Sequence, residues 1–160
     1  SQFTEHEVII LASILEREAN DRESMKKVSG ILQNRLDNDL PLQVDATFEY
    51  VLGKTSAELT LDDLAMDSPY NTYTVEGLPP GPIGSPGLES IKAAANPANV
   101  DYLYYVVKPN GDGHIDIVNT NSSSSNLSVL INLGNGTFMD VTSSAGPTTA
   151  LMRSRERRPR

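Results

Sequence analysis

The sequence contains no cysteine and no tryptophan. Without a thiol, disulfide stapling and thiolate chemistry are excluded, although the compartment stays open because secreted proteins also occur without cysteine. Other aromatic residues are scarce, six Tyr and three Phe. No apolar run approaches the roughly 20 residues that a membrane-spanning helix needs. Positive charge is short as well. The formal net charge is −8, and binding nucleic acid requires a basic face that neutralises phosphate, so that class of partner is excluded. Much of the basic charge sits at one end: Arg153 to Arg160 holds five Arg and one Glu, a local +4, leaving −12 on the rest. Residues 146–160 therefore read as a disordered basic tail. The start, Ser1-Gln2-Phe3-Thr4, has neither an initiating Met nor a signal-peptide pattern and reads as the edge of a fragment.

What is present is 160 residues, enough for one domain with a core and a small appendage. Thr4-Glu5-His6-Glu7 has the form of a capping box. It opens a helix to about Asn20 with Val8, Leu11, Ala12, Leu15 and Ala19 as its buried stripe. A second helix is predicted from Arg22 to Asn38, with Met25, Val28, Ile31, Leu32 and Leu36 facing inward. The stretch Leu42 to Gly53 alternates like a strand but also suits a short helix capped by Asp45. Thr60-Leu61-Asp62-Asp63 opens another short helix. A long Pro/Gly loop follows, Asp67 to Gly84, of the kind that is usually functional in a compact domain. Ser85-Pro86 then reads as a cap with Pro at the first helical position, in a helix ending at Asn96-Pro97.

From Val100 the pattern changes to strands: 102–107, 114–118, 127–132 and 137–141. Asn110-Gly111-Asp112-Gly113 and Gly134-Asn135-Gly136 form turns between them, and Ser122 to Ser125 is a low-complexity linker.

Several segments together resemble the YceG-like endolytic murein transglycosylases. They are Leu11-Ala-Ser-Ile-Leu-Glu-Arg-Glu-Ala19, Asn34-Arg35-Leu36, Leu42-Gln43-Val44-Asp45-Ala46-Thr47, Ser68-Pro-Tyr-Asn-Thr-Tyr73, Gly77-Leu-Pro-Pro-Gly-Pro-Ile83, Pro86-Gly87, Asn96-Pro97 and Asp101-Tyr-Leu-Tyr104. They stand in the family's order over about residues 8–114. Ala46 departs from the family's usual Pro, and Gly84-Ser85 from an expected Asn, but neither change removes a titratable group. The family's N-terminal membrane anchor is not found in this sequence.

The resemblance implies cleavage of the MurNAc-GlcNAc β-1,4 bond of peptidoglycan without water, leaving 1,6-anhydro-MurNAc ends. One Glu serves as both general acid and general base, and no cofactor or metal is implied. This differs from ordinary glycoside hydrolysis, which uses two carboxyls at a set separation. Glu16 and Glu18 compete for the role. At about 100° per residue, Glu18 projects near Leu11 and Leu15, at the edge of the apolar stripe, where a carboxyl loses hydration as a general acid requires. Glu18 also matches the second Glu of the family's motif. The plain alternative is an i+4 pair with Arg22 on a solvated face. Glu16 projects further round and is the fallback, its plain role a hydrogen bond or a pairing to Arg35.

Gln43, Asp45, Ser68, Tyr70, Asn71 and Tyr73 are the candidates for a sugar groove, because amides, carboxylates and aromatic rings match sugar hydroxyls and the apolar ring face. Against this, Asp45 fits an N-cap, and Asn71 with Thr72 fits turn stabilisation. The Gly77–Ile83 segment reads as rigid scaffold beside Asn71, because Pro fixes φ and offers no donor.

Beyond about Lys108 the chain also resembles a single FG-GAP/VCBS repeat, through Asn110-Gly-Asp-Gly-His-Ile-Asp116, Asn119-Thr-Asn121, Val129-Leu-Ile-Asn-Leu-Gly-Asn-Gly-Thr-Phe138 and Asp140-Val-Thr142. Such turns offer oxygen ligands to calcium, but Lys108 occupies the first ligand position. His114 fits both resemblances, with its plain role that of a strand residue. The expectation is therefore α+β: a helical catalytic half with the long Pro/Gly loop and a C-terminal antiparallel hairpin or small sheet. It divides into a core at 1–107, a strand segment at 108–145 and the tail. The expected partners are peptidoglycan glycan strands and, by resemblance, the cell-wall synthesis machinery. The expected place is the extracytoplasmic face of the bacterial inner membrane. A reading from another class is a noncatalytic glycan-binding or calcium-dependent surface module, and the −12 body is poorly suited to an anionic polymer.

Overall fold

A computed structural model of the chain describes residues 3–107 and the strands at 115–120, 127–132 and 138–140. Helix α1, Glu5–Glu18, begins at a capping box. Thr4 Oγ1 accepts from the Glu7 N–H at 3.3 Å, and the Thr4 N–H donates to Glu7 Oε2 at 2.7 Å. Ile10, Leu11, Ile14 and Leu15 of α1 are buried. Helix α2, Arg22–Asp37, starts at Asp21, whose carboxylate accepts from the Ser24 N–H. It buries Met25, Val28, Ile31 and Leu32 and, unusually for a cation, Arg35 at 5% exposure.

The ambiguous stretch folds as helix α3, Ala46–Leu52, closed by Gly53 at φ 66° in the left-handed region that favours glycine. Asp45 stands at its N-cap but makes no side-chain capping bond, so the cap role read from sequence is not the one it plays. Helix α4, Leu61–Leu64, is a single turn held by the Thr60–Asp63 capping box.

Helix α5, Leu88–Ala95, begins two residues later than Ser85-Pro86 suggests, with Gly87 as N-cap. The cap comes from outside the segment: Glu16 Oε2 accepts the Gly87 N–H at 3.0 Å. A local sequence reading cannot see a partner 71 residues away.

One hydrophobic core joins α1, α2, α5 and the Leu42–Ala46 segment, with Ile83, Leu78 and Tyr105 packed on it. Strand β1, Tyr104–Val107, lies against α2. It starts later than expected because the Tyr102 and Leu103 carbonyls are taken by Asn34 and Arg35 of α2, both at 2.9 Å. With β2 (Ile115–Thr120), β3 (Leu127–Asn132) and β4 (Phe138–Asp140) it makes an antiparallel sheet in sequential order. Tyr105 registers with Ile117 and Ile117 with Leu130. The molecule is thus α+β, predominantly helical in its first hundred residues.

The turns at 110–113 and 134–136, the Ser122–Ser125 linker, His114 and the tail lie outside the described residues. Among the described residues no helix is long and apolar enough to cross a membrane.

Candidate active site

The two competing carboxyls leave the end of α1 in different directions. Glu18 is half-buried, and its Oε2 accepts a hydrogen bond from Tyr105 Oη on β1 at 2.7 Å. Arg22, the i+4 residue, lies with its Nε 3.5 Å from Glu89. Glu16 is exposed. The Ser90 hydroxyl and the Gly87 N–H hold its carboxyl below the usual range, because both favour the charged form. Glu16 is therefore the anchor that ties α5 to α1. Its suggested pairing with Arg35 is replaced by this contact, and Arg35 is engaged by Pro41, Leu103 and Gln43.

Arg35 uses all three nitrogens of its fork. Nε donates to the Pro41 carbonyl at 2.8 Å, Nη1 to the Leu103 carbonyl at 2.9 Å and Nη2 to Gln43 Oε1 at 2.9 Å. The guanidinium also lies over the Tyr104 ring, 5.1 Å from its centre. A buried cation needs this degree of satisfaction, since each unmade bond leaves charge without solvation. Arg35 thereby connects the Gln43 segment to β1, two residues ahead of Tyr105.

Gln43 is exposed and sits at φ 54°, in the left-handed region where a side chain is strained. Its N–H donates to the Thr72 carbonyl at 2.8 Å, which joins this segment to the long loop. Buried Thr72 completes the junction: its Oγ1 accepts from the Val44 N–H and donates to the Val44 carbonyl. Asp45 accepts from Tyr73 Oη at 2.5 Å, and the Tyr73 ring meets Phe48 edge-on. Gln43, Asp45 and Tyr73 are therefore brought together.

The remaining groove candidates belong to the loop's own scaffold to different degrees. Asn71 is buried, with its amide donating to the Leu64 and Met66 carbonyls and its Oδ1 accepting from the Tyr73 N–H. That is the turn-stabilising role weighed against a groove role for it. Ser68 Oγ accepts from the Tyr70 N–H. Tyr70 meets the exposed Tyr50 ring at 5.3 Å, and its hydroxyl lies 3.0 Å from where a Cβ on Gly81 would stand.

Sequence reasoning missed Tyr105, Tyr50 and Ser13 as site-forming residues. Buried Ser13 donates to the Ile10 carbonyl and accepts the Ile83 N–H at 2.9 Å, pinning the Pro-rich segment to α1. For Tyr105 a signal existed: adjacent residues on a strand face opposite sides, so placing Tyr104 on one side leaves Tyr105 for the other. Among the described residues no group of three His, Cys, Asp or Glu side chains could hold a metal ion. Most of the calcium-type turn after Lys108 lies outside them.

The sequence model of the YceG-like family matches residues 1–124, extending beyond residue 107 through β2. The chain is 42% identical over 107 residues to an endolytic murein transglycosylase of Bacillus subtilis, covering 67% of this chain and 30% of the relative. It is 39% identical over 109 residues to the protein of that name from Streptococcus pneumoniae serotype 2, covering 65% and 20% respectively. A crystal structure of a YceG-like protein from Listeria monocytogenes superposes with a TM-score of 0.66 at 39% identity, covering 74% of this chain and 38% of that one. The chain thus spans about a fifth to a third of the length of these curated relatives. With the family's sequence pattern matched from residue 1 to residue 124 and the fold shared with a family structure, the chain belongs to the YceG-like family.

Proposed function

We propose that this chain is the catalytic core of an endolytic murein transglycosylase that cleaves the MurNAc-GlcNAc β-1,4 bond of peptidoglycan, with Glu18 as its single general acid/base. The observation that carries the reading is the separation of the two candidate carboxyls. Glu16 is exposed, with its carboxyl held below the usual range by Ser90 and Gly87, whereas Glu18 is half-buried under a phenol hydroxyl. A general acid needs a carboxyl with reduced hydration, so the exposed carboxyl engaged as the anchor of α5 is unsuited to the task and the half-buried one is suited. The names of the Bacillus and Streptococcus relatives support the same reaction class.

In the first step protonated Glu18 donates to the glycosidic oxygen as the C1–O bond breaks. In the second, the Glu18 carboxylate takes the proton of the MurNAc C6 hydroxyl while that oxygen bonds to C1. The ring closes, the acid is regenerated and no water is consumed. The reaction calls for no cofactor. Gln43, Asp45, Tyr70 and Tyr73 line the glycan path in this proposal, with Ser68 and Asn71 holding the loop that presents them. Residues 1–107 carry the chemistry, and strands β2 to β4 extend the sheet from β1. The site of action is the extracytoplasmic face of the inner membrane, where glycan strands and the cell-wall synthesis machinery are met.

The test is a digest of purified peptidoglycan read by mass spectrometry for 1,6-anhydro-muramyl ends. Glu18→Gln should lower their release by roughly 10²–10⁴-fold, the usual contribution of a general acid, while Glu16→Gln retains most of it. Release that survives Glu18→Gln and is lost in Glu16→Gln would move the role to Glu16. A folded wild-type chain yielding no anhydro ends would leave a noncatalytic glycan-binding module as the reading.

A further inference from the structure

We infer that Tyr105 is a positioning residue for Glu18: its hydroxyl fixes which carboxyl oxygen carries the proton and which way that oxygen faces. The inference rests on the reading of Glu18 as the acid/base. Tyr105 Oη donates to Glu18 Oε2 at 2.7 Å. An oxygen that accepts from a phenol is the carbonyl-like one when the acid is protonated, so this contact favours the proton on Oε1 over Oε2. Oε1 is then the atom presented to the glycosidic oxygen. Once the proton has left, the same hydroxyl stabilises the carboxylate at Oε2, leaving Oε1 as the base that receives the C6 proton. The Tyr105 hydroxyl thus serves both half-reactions through its contact with Oε2.

The phenol is well placed to hold that position. Its ring packs on the hydrophobic core, and its residue pairs with Ile117 of β2. The backbone just ahead is fixed by Asn34 on the Val100 and Tyr102 carbonyls and by Arg35 on the Leu103 carbonyl. Tyr104, the preceding residue, lies against the Arg35 guanidinium. Strand alternation therefore leaves Tyr105 on the side where Glu18 stands. Precision of this kind matters because an acid misdirected by about 1 Å can lose roughly 10²-fold in rate.

Tyr105→Phe is the test, because it keeps the ring and removes only the hydroxyl. The neighbouring charged pairs, Arg17 with Glu49 and Arg22 with Glu89, are left in place. A donor to the carboxylate favours the charged form, so losing it raises the Glu18 titration midpoint, by about one pH unit for a charge-assisted bond. Carboxyl NMR of the full chain should show that rise. In the digest, kcat should fall roughly tenfold with KM within about twofold, and the alkaline limb of the activity profile should move up by the same unit. A folded Tyr105→Phe protein whose Glu18 midpoint and alkaline limb stay where the wild type has them would overturn the inference. If the wild type releases no anhydro ends, the acid/base reading falls, and the NMR midpoint alone still decides whether Tyr105 governs Glu18.

Discussion

The guanidinium of Arg35 and the side-chain oxygen of Gln43 meet at 2.9 Å, and through this contact a buried cation on α2 holds an exposed residue in a left-handed backbone conformation. The same guanidinium grips the backbone of Leu103, so one side chain fixes both the candidate sugar-contacting segment and the strand that carries Tyr105.

Arg35→Ala should therefore be costly. The Pro41 and Leu103 carbonyls would each lose a charge-assisted partner, at about 1–3 kcal/mol apiece where water cannot replace it. The expected loss is about 3 kcal/mol, read as a lower urea midpoint at unchanged slope. Arg35→Lys should lose about half of that, since an ammonium cannot reproduce the three-way fork. An unchanged midpoint in the Ala variant would contradict the strut role.

Gly30, the one glycine of α2, is closely packed. A Cβ there would stand 2.3 Å from the Ala98 carbonyl oxygen and 2.8 Å from Val100 Cγ2. The Ala98 backbone is itself held by its N–H to the Lys26 carbonyl. Gly30→Ala gains helix propensity of about 1 kcal/mol but must push the 98–100 segment outward, an overpacking cost of about 1–3 kcal/mol. The backbone clash should win, giving a lower Tm by calorimetry.

Glu16→Gln should alter stability only modestly, by about 0.5 kcal/mol, because the carboxylate is exposed and screened. Its pH dependence is more telling. The folded-state pKa is lowered, so the contribution is full above the ordinary Glu value. It is lost as pH falls through the lower folded value. The stability gap between wild type and Glu16→Gln should thus be open at pH 7 and close in acid. A gap independent of pH would mean that the anchor does not depend on charge.

Asp63 offers a similar test away from the site. Lys54 Nζ lies 2.6 and 2.8 Å from its two oxygens, and the Thr60 hydroxyl and N–H both donate to it. The Lys54 bond and then the Thr60 bonds bring its pKa down from 3.8 to about 2. The α4 turn should keep this support at neutral pH and lose it as pH falls from about 4 through 2. Lys54→Met should move the Asp63 midpoint upward in a carboxyl NMR titration, and no movement would contradict the assignment.

The helices were legible because their signals are local. Thr4–Glu7 and Thr60–Asp63 announce their own caps, and Leu11, Leu15, Val28 and Leu32 repeat at helical spacing. The family motifs singled out Glu16 and Glu18 as candidates, and wheel geometry ordered them by exposure as the structure has them, one exposed and one half-buried. The long-range partnerships were hidden. Gly87 caps α5 with help from Glu16, Tyr102 and Leu103 yield their carbonyls to α2, and Asp45 takes a tyrosine hydroxyl in place of its own helix. Each joins a residue to one far away in sequence, where neither propensity nor periodicity carries information. Asn71 illustrates the remaining ambiguity: a loop asparagine suits both a ligand and a turn, and only its 1% exposure distinguishes them.

The hydrogen bond between Glu18 and Tyr105 spans 87 residues, and the clasp between Arg35 and Leu103 spans 68. Loops of that length must close before either contact exists, which makes assembly of the site late and entropically demanding. A nascent chain that has not yet reached residue 105 carries Glu18 without the hydroxyl that meets it. Synthesis order alone thus delays completion of the Glu18–Tyr105 contact until nearly the whole matched region has been made.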